Sequence, residues 1–328
     1  MWERMKRILF TDAVPESQVL RLQSAGFEVV VDTAIDYDTL LAVVAGFDVL
    51  VVRSRFPVDR RVLESGSRLC CVGRVGAGME TIDVDYAERR GIRCFNSPEG
   101  NRDAVGEHAV GLLLALFDKI AHADAEVRRG LWQREANRGV EVMGKTVGII
   151  GFGNMGGSFA RRLAGFDCRV LAYDLKGGQA SGFALQLPYV REAPLQDLWQ
   201  RCDVVSLHVP LDESTRHMVD ARFLHRFARP VALINTSRGA VVDTRALADA
   251  LREGVVSGAA LDVVEYENME RDAFAGTGLP DWEYLKQSPR TVLTPHVAGW
   301  TVESKERLVA ILIDKIIDYC KTNLPYNL

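Results

Sequence analysis

The chain has 328 residues, 48% of them hydrophobic and 26% charged, with a formal net charge of −4. This is an ordinary globular composition, long enough for two domains. With no basic block and no acidic tail, nucleic acid and anionic membrane are excluded as default partners.

The charged start MWERMKRILFTD passes straight into a strand and does not resemble a signal peptide. Strands are expected at 7–13, 27–32, 48–54, 69–76 and 92–97, with helical spacing between them. A long helical stretch follows from about 101 to 130. Its centre, AVGLLLALF (109–117), is apolar on every side and too short to cross a membrane, which suits a helix buried between domains or subunits. A polar connector then leads to a second series of strands at 146–151, 168–174, 203–210, 231–237, 257–264 and 291–297, and an amphipathic helix at about 301–322. Alternation of this kind predicts two α/β units, each a parallel sheet covered by helices. The six cysteines (Cys70, Cys71, Cys94, Cys168, Cys202 and Cys320) contain no CxxC pair and no metal-ligand rhythm. They are expected to be reduced core thiols of a cytoplasmic protein without a metal site.

The second unit opens with GIIGFGNMGG, which places Gly151, Gly153 and Gly156 in GxGxxG spacing. That pattern is weak alone. Here it follows an apolar strand and opens a helix, and the next strand ends in Asp174, eighteen residues after Gly156. This is the context of a dinucleotide-binding βαβ unit, with the pyrophosphate on the helix N-terminus and the acid on the adenosine ribose. An acid there repels a 2′-phosphate and favours NAD over NADP, although Lys176 nearby argues mildly the other way.

Three polar residues stand at or beyond later strand ends: Arg238 after VALINTS, Glu267 after ALDVVEY, and His296 in LTPHVAG. Ligands of open α/β sheets bind at such ends. A guanidinium suits a carboxylate, and a histidine oriented by a carboxylate can move a proton near neutral pH. Together with a nicotinamide, the three fit the oxidation of a 2-hydroxy acid. A structural salt bridge for Arg238 and a core role for His296 are the alternatives on the residues alone.

The chain resembles the D-2-hydroxyacid dehydrogenase family, most closely its D-3-phosphoglycerate dehydrogenase branch. The motifs that carry the resemblance span nearly the whole chain: VVRSR (51–55), VGRVGAG (72–78), FNSPEGNRDAVGEH (95–108), GKTVGIIGFGNMG (144–156), DVVSLHVPLDEST (203–215), INTSRGAVVD (234–243), GAALDVVEYEN (258–268) and LTPHVAG (293–299). The resemblance implies two doubly wound parallel-sheet domains, Rossmann-like or flavodoxin-like, with the active-site cleft between them. Residues 1–99, completed by 300–328, would bind substrate, and residues 100–299 would bind NAD. It assigns Arg238 to the substrate carboxylate and carbonyl, His296 to acid–base chemistry and Glu267 to its support. Asn154, Met155, Asp174, His208, Val209, Pro210, Thr236, Ser237, Asp262 and Gly299 fall where the family lines the cofactor, beside the glycine loop. Arg53, Ser54, Val75 and Gly76 fall where it contacts substrate. It also implies a homodimer built through the NAD-binding domains.

The chain departs from the family in places. Phe56 replaces a small hydroxyl residue, Asn268 replaces a proline after the glutamate, and Glu80-Thr81 replaces Asp-Asn. The stretch between Glu267 and His296 is longer than usual, and with Leu328 as the last residue an appended serine-responsive domain is not expected. The favoured activity is NAD-dependent oxidation of D-3-phosphoglycerate, as in serine biosynthesis. Glyoxylate or hydroxypyruvate reduction is the alternative, and an NAD-sensing corepressor-like binding protein is the alternative of another class. A formate dehydrogenase fits less well, because that branch tends to carry an amide in place of Glu267.

Overall fold

In the computed structural model, residues 5–175, 187–268, 273–274, 276 and 278–323 are described. The chain forms two compact units, Met1–Asn101 with Thr301–Leu328, and Arg102–Trp300.

The first unit is built on five strands: β1 (Lys6–Phe10), β2 (Phe27–Val31), β3 (Val49–Val52), β4 (Cys71–Arg74) and β5 (Arg93–Phe95). They pair in the order β2-β1-β3-β4-β5, all parallel. The central strand β3, VLVV, is buried along its whole length. It reads as an unbroken apolar run because helices cover both faces of a parallel sheet. One face packs Leu40, Val44, Val62 and Leu63. The other receives Val309, Leu312, Ile313 and Ile316 from the C-terminal helix Val302–Asn323. The turns into three of the helices are fixed by aspartates. Asp36, Asp59 and Asp83 each accept a hydrogen bond from a backbone amide three residues on, at Thr39, Val62 and Tyr86.

The second unit carries a seven-stranded parallel sheet: β6 (Thr146–Ile150), β7 (Arg169–Tyr173), β8 (Val190–Glu192), β9 (Val204–Leu207), β10 (Val231–Asn235) and β11 (Val256–Leu261). A short antiparallel pair follows, β12 (Glu267–Asn268) with β13 (Ala273–Phe274), and then β14 (Thr291–Leu293) completes the sheet. The order is β14-β11-β10-β9-β6-β7-β8, so chain direction across the sheet reverses between β6 and β9. Such a reversal opens a crevice at the strand carboxyl ends.

One expectation is corrected, and two elements are added to it. The long helix is two helices, Arg102–Phe117 and Ile120–Arg128. They are separated by Lys119 in a left-handed conformation, φ +52°, and its ammonium donates to the Ala136 carbonyl at 2.8 Å. Within the first helix only one side is deeply buried, through Ala104, Val105, Ala109, Leu112 and Leu113. Gly106 lets it approach the helix Asn154–Arg162, since a Cβ there would lie 2.6 Å from Ser158 Oγ. The edge strand β8 escapes the sequence pattern, because VRE offers three mostly polar residues and, among the described residues, pairs on one side only. The second half of the extension before His296 packs on the core. Residues Pro280–Gln287 form a helix that buries Leu285 to 1% exposure and packs Trp282 and Tyr284 on the core. Residues 269–272, 275 and 277 of that extension, and Lys176, lie outside the described residues.

Candidate active site

The glycine loop joins β6 to the helix Asn154–Arg162. Gly151 has φ +88°, a conformation that disfavours any side chain, and a Cβ there would press on the His208 carbonyl at 2.6 Å. A Cβ at Gly156 would lie 2.1 Å from the Gly151 carbonyl, so the helix can sit this close to the turn only with glycine. Gly153 differs. It is the N-cap of the helix, no side chain caps the helix start, and a Cβ there would meet nothing within 4 Å. The loop thus holds an uncapped helix N-terminus beside open space, which is what a pyrophosphate needs. Asp174, just past β7, accepts a hydrogen bond from the Phe152 amide at 2.8 Å, and this ties the acid to the loop. Asn154 and Met155 form the first turn of the helix and are half-buried.

On the far side of the sheet reversal, β9 leads to His208, Val209 and Pro210. The His208 ring is bonded to Ser206 Oγ at 2.8 Å and lies 5.6 Å from the Phe159 ring, with Thr236 Oγ1 at 3.4 Å. Burial pushes its pKa down to about 3, so the imidazole is neutral at physiological pH. Thr236 and Ser237 extend β10 and are buried. Asn235 Oδ1 accepts from the Ser237 amide and hydroxyl, and its Nδ2 donates to the Arg238 carbonyl at 3.0 Å. This local network turns the chain so that Arg238, half-buried, leaves the strand end. Gly239 follows because a Cβ there would fall 2.0 Å from the Val264 carbonyl carbon.

Val264 lies on the segment that reaches Glu267. Two glutamates stand on this segment, and the structure separates them. Glu265 bonds His217 Nε2 at 2.5 Å and accepts from the Thr244 hydroxyl at 2.9 Å, so it ties the segment to the helix Thr244–Glu253. Glu267 Oε1 lies 3.1 Å from His296 Nδ1. Both members of that pair keep about a fifth of their side-chain surface accessible, 20% and 23%.

His296 itself has φ +54°, a conformation costly for a residue with a side chain unless its surroundings impose it. The imposing group is Asp262, 1% exposed. Its backbone carbonyl accepts from the His296 amide at 2.7 Å. Its carboxylate accepts from the Val297 and Ala298 amides, both at 2.9 Å, and from Thr294 Oγ1 at 2.6 Å. His108 Nε2 lies 3.1 Å from Thr294 Oγ1 and 3.4 Å from the same carboxylate. Burial works against the charge of Asp262, yet His108, Thr294 and the Ala298 and Val297 amides together hold its pKa below the ordinary value. Asp262, which the resemblance puts among the cofactor-lining positions, turns its carboxylate to the loop that carries His296 and ends at Gly299. This network is not readable from the sequence, because His108, Asp262 and Thr294 stand on three separate segments that only the fold brings together.

The candidate substrate residues lie in the first unit. Arg53 and Val75 line a cavity of about 400 Å³ at the ends of β1, β3 and β4, together with Asp12, Lys305 and Glu306. Burial lowers the Arg53 pKa, and Asp12 opposes that shift. Arg55 serves the backbone instead. Its guanidinium donates to the carbonyls of Thr11, Thr33 and Ile35 at 2.6–2.7 Å and holds the loops after β1 and β2. Ser54 is half-buried beside Arg53, Phe56 is buried at 8%, and the Gly76 carbonyl accepts from the Ser97 amide at 2.9 Å.

A dinucleotide loop, a strand-end arginine and a glutamate-supported histidine on one parallel sheet define a nicotinamide-dependent oxidoreductase. The model of the D-isomer specific 2-hydroxyacid dehydrogenase NAD-binding domain matches residues 110–298, and the chain belongs to that family. It is 35% identical over 286 residues to a hydroxypyruvate reductase of Thermotoga maritima, covering 86% of this chain and 88% of the relative. It is 32% identical to a D-3-phosphoglycerate dehydrogenase of Archaeoglobus fulgidus, covering 96% of this chain but 57% of that longer protein. The crystal structure of a D-lactate dehydrogenase from Aquifex aeolicus, complexed with NAD and lactic acid, superposes with a TM-score of 0.78 at 26% identity, covering 97% and 96% of the two chains. The chain is therefore an oxidoreductase of this family, acting on CH–OH donors with a nicotinamide cofactor. Among the described residues, no helix is long and apolar enough to cross a membrane.

Proposed function

We propose that the chain interconverts a small D-2-hydroxy acid and its 2-oxo acid, with His296 as the acid–base residue. The observation that carries this is the 3.1 Å contact between His296 Nδ1 and Glu267, in the same unit as Arg238 and the glycine loop. With Nδ1–H donated to Glu267, Nε2 is the nitrogen left to take the substrate hydroxyl proton, or to return it in reduction. Arg238 would grip the substrate carboxylate, for which a guanidinium fork is better shaped than an ammonium. The bound nicotinamide supplies the hydride acceptor or donor. Asp174, tied to the glycine loop through the Phe152 amide, supports NAD over NADP, because a carboxylate beside the adenosine ribose would repel a 2′-phosphate.

For the substrate, D-3-phosphoglycerate is the first candidate, on the strength of Arg53 and its neighbour Lys305 in the cavity of the first unit. Hydroxypyruvate is the second. Asp12 beside Arg53 already offsets its charge, and the Thermotoga maritima relative, a hydroxypyruvate reductase, matches over most of its own length. Comparing kcat/KM for 3-phosphoglycerate, glycerate, lactate and glycolate with NAD, and for the matching 2-oxo acids with NADH, decides between them. Loss of 3-phosphoglycerate turnover in Arg53→Ala, with glycerate turnover kept, would support the first. Equal kcat/KM for phosphorylated and plain substrates would remove it.

A homodimer is proposed as well. Trp132, Val140 and Met143 of the connector are 78%, 50% and 62% exposed, and Ile120 and Val127 of the preceding helix are about half exposed. Large apolar side chains left this exposed support a contact with another chain. Light scattering at micromolar concentration should give twice the chain mass, and a monomer would refute it.

A further inference from the structure

The cysteines have no ligand rhythm in sequence, yet three of them meet in the first unit. Cys70 precedes β4, Cys71 opens it, and Cys320 lies near the end of the C-terminal helix. One sulfur from each lies within 4.8 Å of the other two. Cys71 and Cys320 are buried at 0% and 2% exposure, and Cys70 is half-buried. All three are free thiols. We propose that Cys70, Cys71 and Cys320 form a three-thiolate site for a thiophilic divalent metal ion of the zinc and cadmium kind.

Size and charge both fit. A tetrahedral ion with metal–sulfur bonds of about 2.3 Å needs sulfurs about 3.8 Å apart, so the cluster has to close by no more than about 1 Å. Each thiol gives up its proton on binding, and three thiolates around a divalent ion carry a net charge of −1. The Lys6 ammonium, which donates to the Cys320 carbonyl at 3.2 Å, brings the sum to zero. A buried charge is tolerable when compensated in this way. A monovalent ion would leave the same group at −1, and a trivalent one at +1. Cys70, the most accessible of the three, is the entry side, and its thiol would exchange the contact with the Asp48 carbonyl at 3.1 Å for the metal. The cluster offers three ligands among the described residues, so water completes the coordination. The bound ion would tie the C-terminal helix to the start of β4, and binding to the folded state alone raises its stability by mass action.

The test uses the full chain, reduced, stripped with chelator and kept free of oxygen, with Cd²⁺ as the probe. One equivalent should bind, with a thiolate-to-metal charge-transfer band in the ultraviolet and release of protons. Cys70→Ser and Cys320→Ser should each weaken binding by at least about tenfold, whereas Cys168→Ser, in the other unit, should leave it unchanged. Should the serine variants fail to fold, the wild-type chain still decides: Cd²⁺ should slow iodoacetamide alkylation of Cys70 at least about tenfold while leaving Cys94 unaffected. Absence of the band at one equivalent, unchanged affinity in both folded variants, or alkylation of Cys70 at the same rate with and without Cd²⁺ overturns the proposal.

Discussion

Asp262→Asn keeps the shape of the side chain and replaces one acceptor oxygen with a donor. In the native loop Oδ1 accepts from Thr294 and the Val297 amide, and Oδ2 accepts from the Ala298 amide. With the amide oxygen on the Oδ1 side, the new NH₂ faces the Ala298 N–H, and Ala298 is 3% exposed, so water cannot take over. One buried donor left unmet costs about 1–3 kcal/mol. The remaining bonds pass from charge-assisted to neutral, at about half their strength. The expected loss is roughly 2–4 kcal/mol, which lowers the melting temperature by about 4–16 °C for a unit of some 200 residues. His296 then has less to hold its positive φ, and a misplacement of about 1 Å at a reacting group can cost on the order of 10²-fold in rate. Thermal unfolding followed by circular dichroism, together with steady-state kcat, measures both effects. A variant with wild-type melting temperature and kcat would refute the reasoning. Damage confined to NAD affinity would make cofactor contact, not support of the His296 loop, the role of Asp262.

The glycines of the loop should divide by cause. Gly156→Ala forces a Cβ to within 2.1 Å of a carbonyl and should lower the melting temperature sharply, whereas Gly153→Ala should fold normally and weaken NAD, as read by cofactor titration. His208 is held near a pKa of about 3 by burial, against an ordinary 6.5, so between those values the unfolded chain binds one proton more than the folded one. Its contribution to stability therefore falls as pH drops below about 6.5, and its ring resonances should not titrate above pH 5 in an NMR series. A His208 that protonates near pH 6.5 would contradict this. Arg238→Lys should raise KM and lower kcat together, because an ammonium cannot hold a carboxylate in two places; unchanged kinetics would remove Arg238 from the substrate.

Much of the fold is legible in the sequence because both sheets are parallel and covered, so runs such as VLVV and VALIN are apolar throughout and separated by helical spacing. The glycine loop is legible because close backbone approach leaves few residue choices. What escapes has physical reasons. The break at Lys119 comes with an ammonium–carbonyl contact with Ala136, seventeen residues away, which no local pattern records. The separate duties of Glu265 and Glu267 depend on which histidine each one meets. Arg53 and Arg55 look alike in VVRSR, and only the three carbonyls around Arg55 tell them apart. Cys70, Cys71 and Cys320 are joined by the packing of the last helix, which no local spacing records.

The central claim is that His296, supported by Glu267, moves the proton in the interconversion of a 2-hydroxy and a 2-oxo acid. The most direct measurement is kcat for reduction of a 2-oxo acid panel with NADH, for the wild-type chain and for His296→Ala, alongside NADH binding by fluorescence. Turnover by the wild type, with kcat in the variant lower by about 10²–10⁴-fold and NADH still bound, is the predicted result. Near-normal turnover in His296→Ala with NADH bound would contradict the assignment, and absence of turnover in the wild type across the panel would favour a nucleotide-sensing binding protein instead.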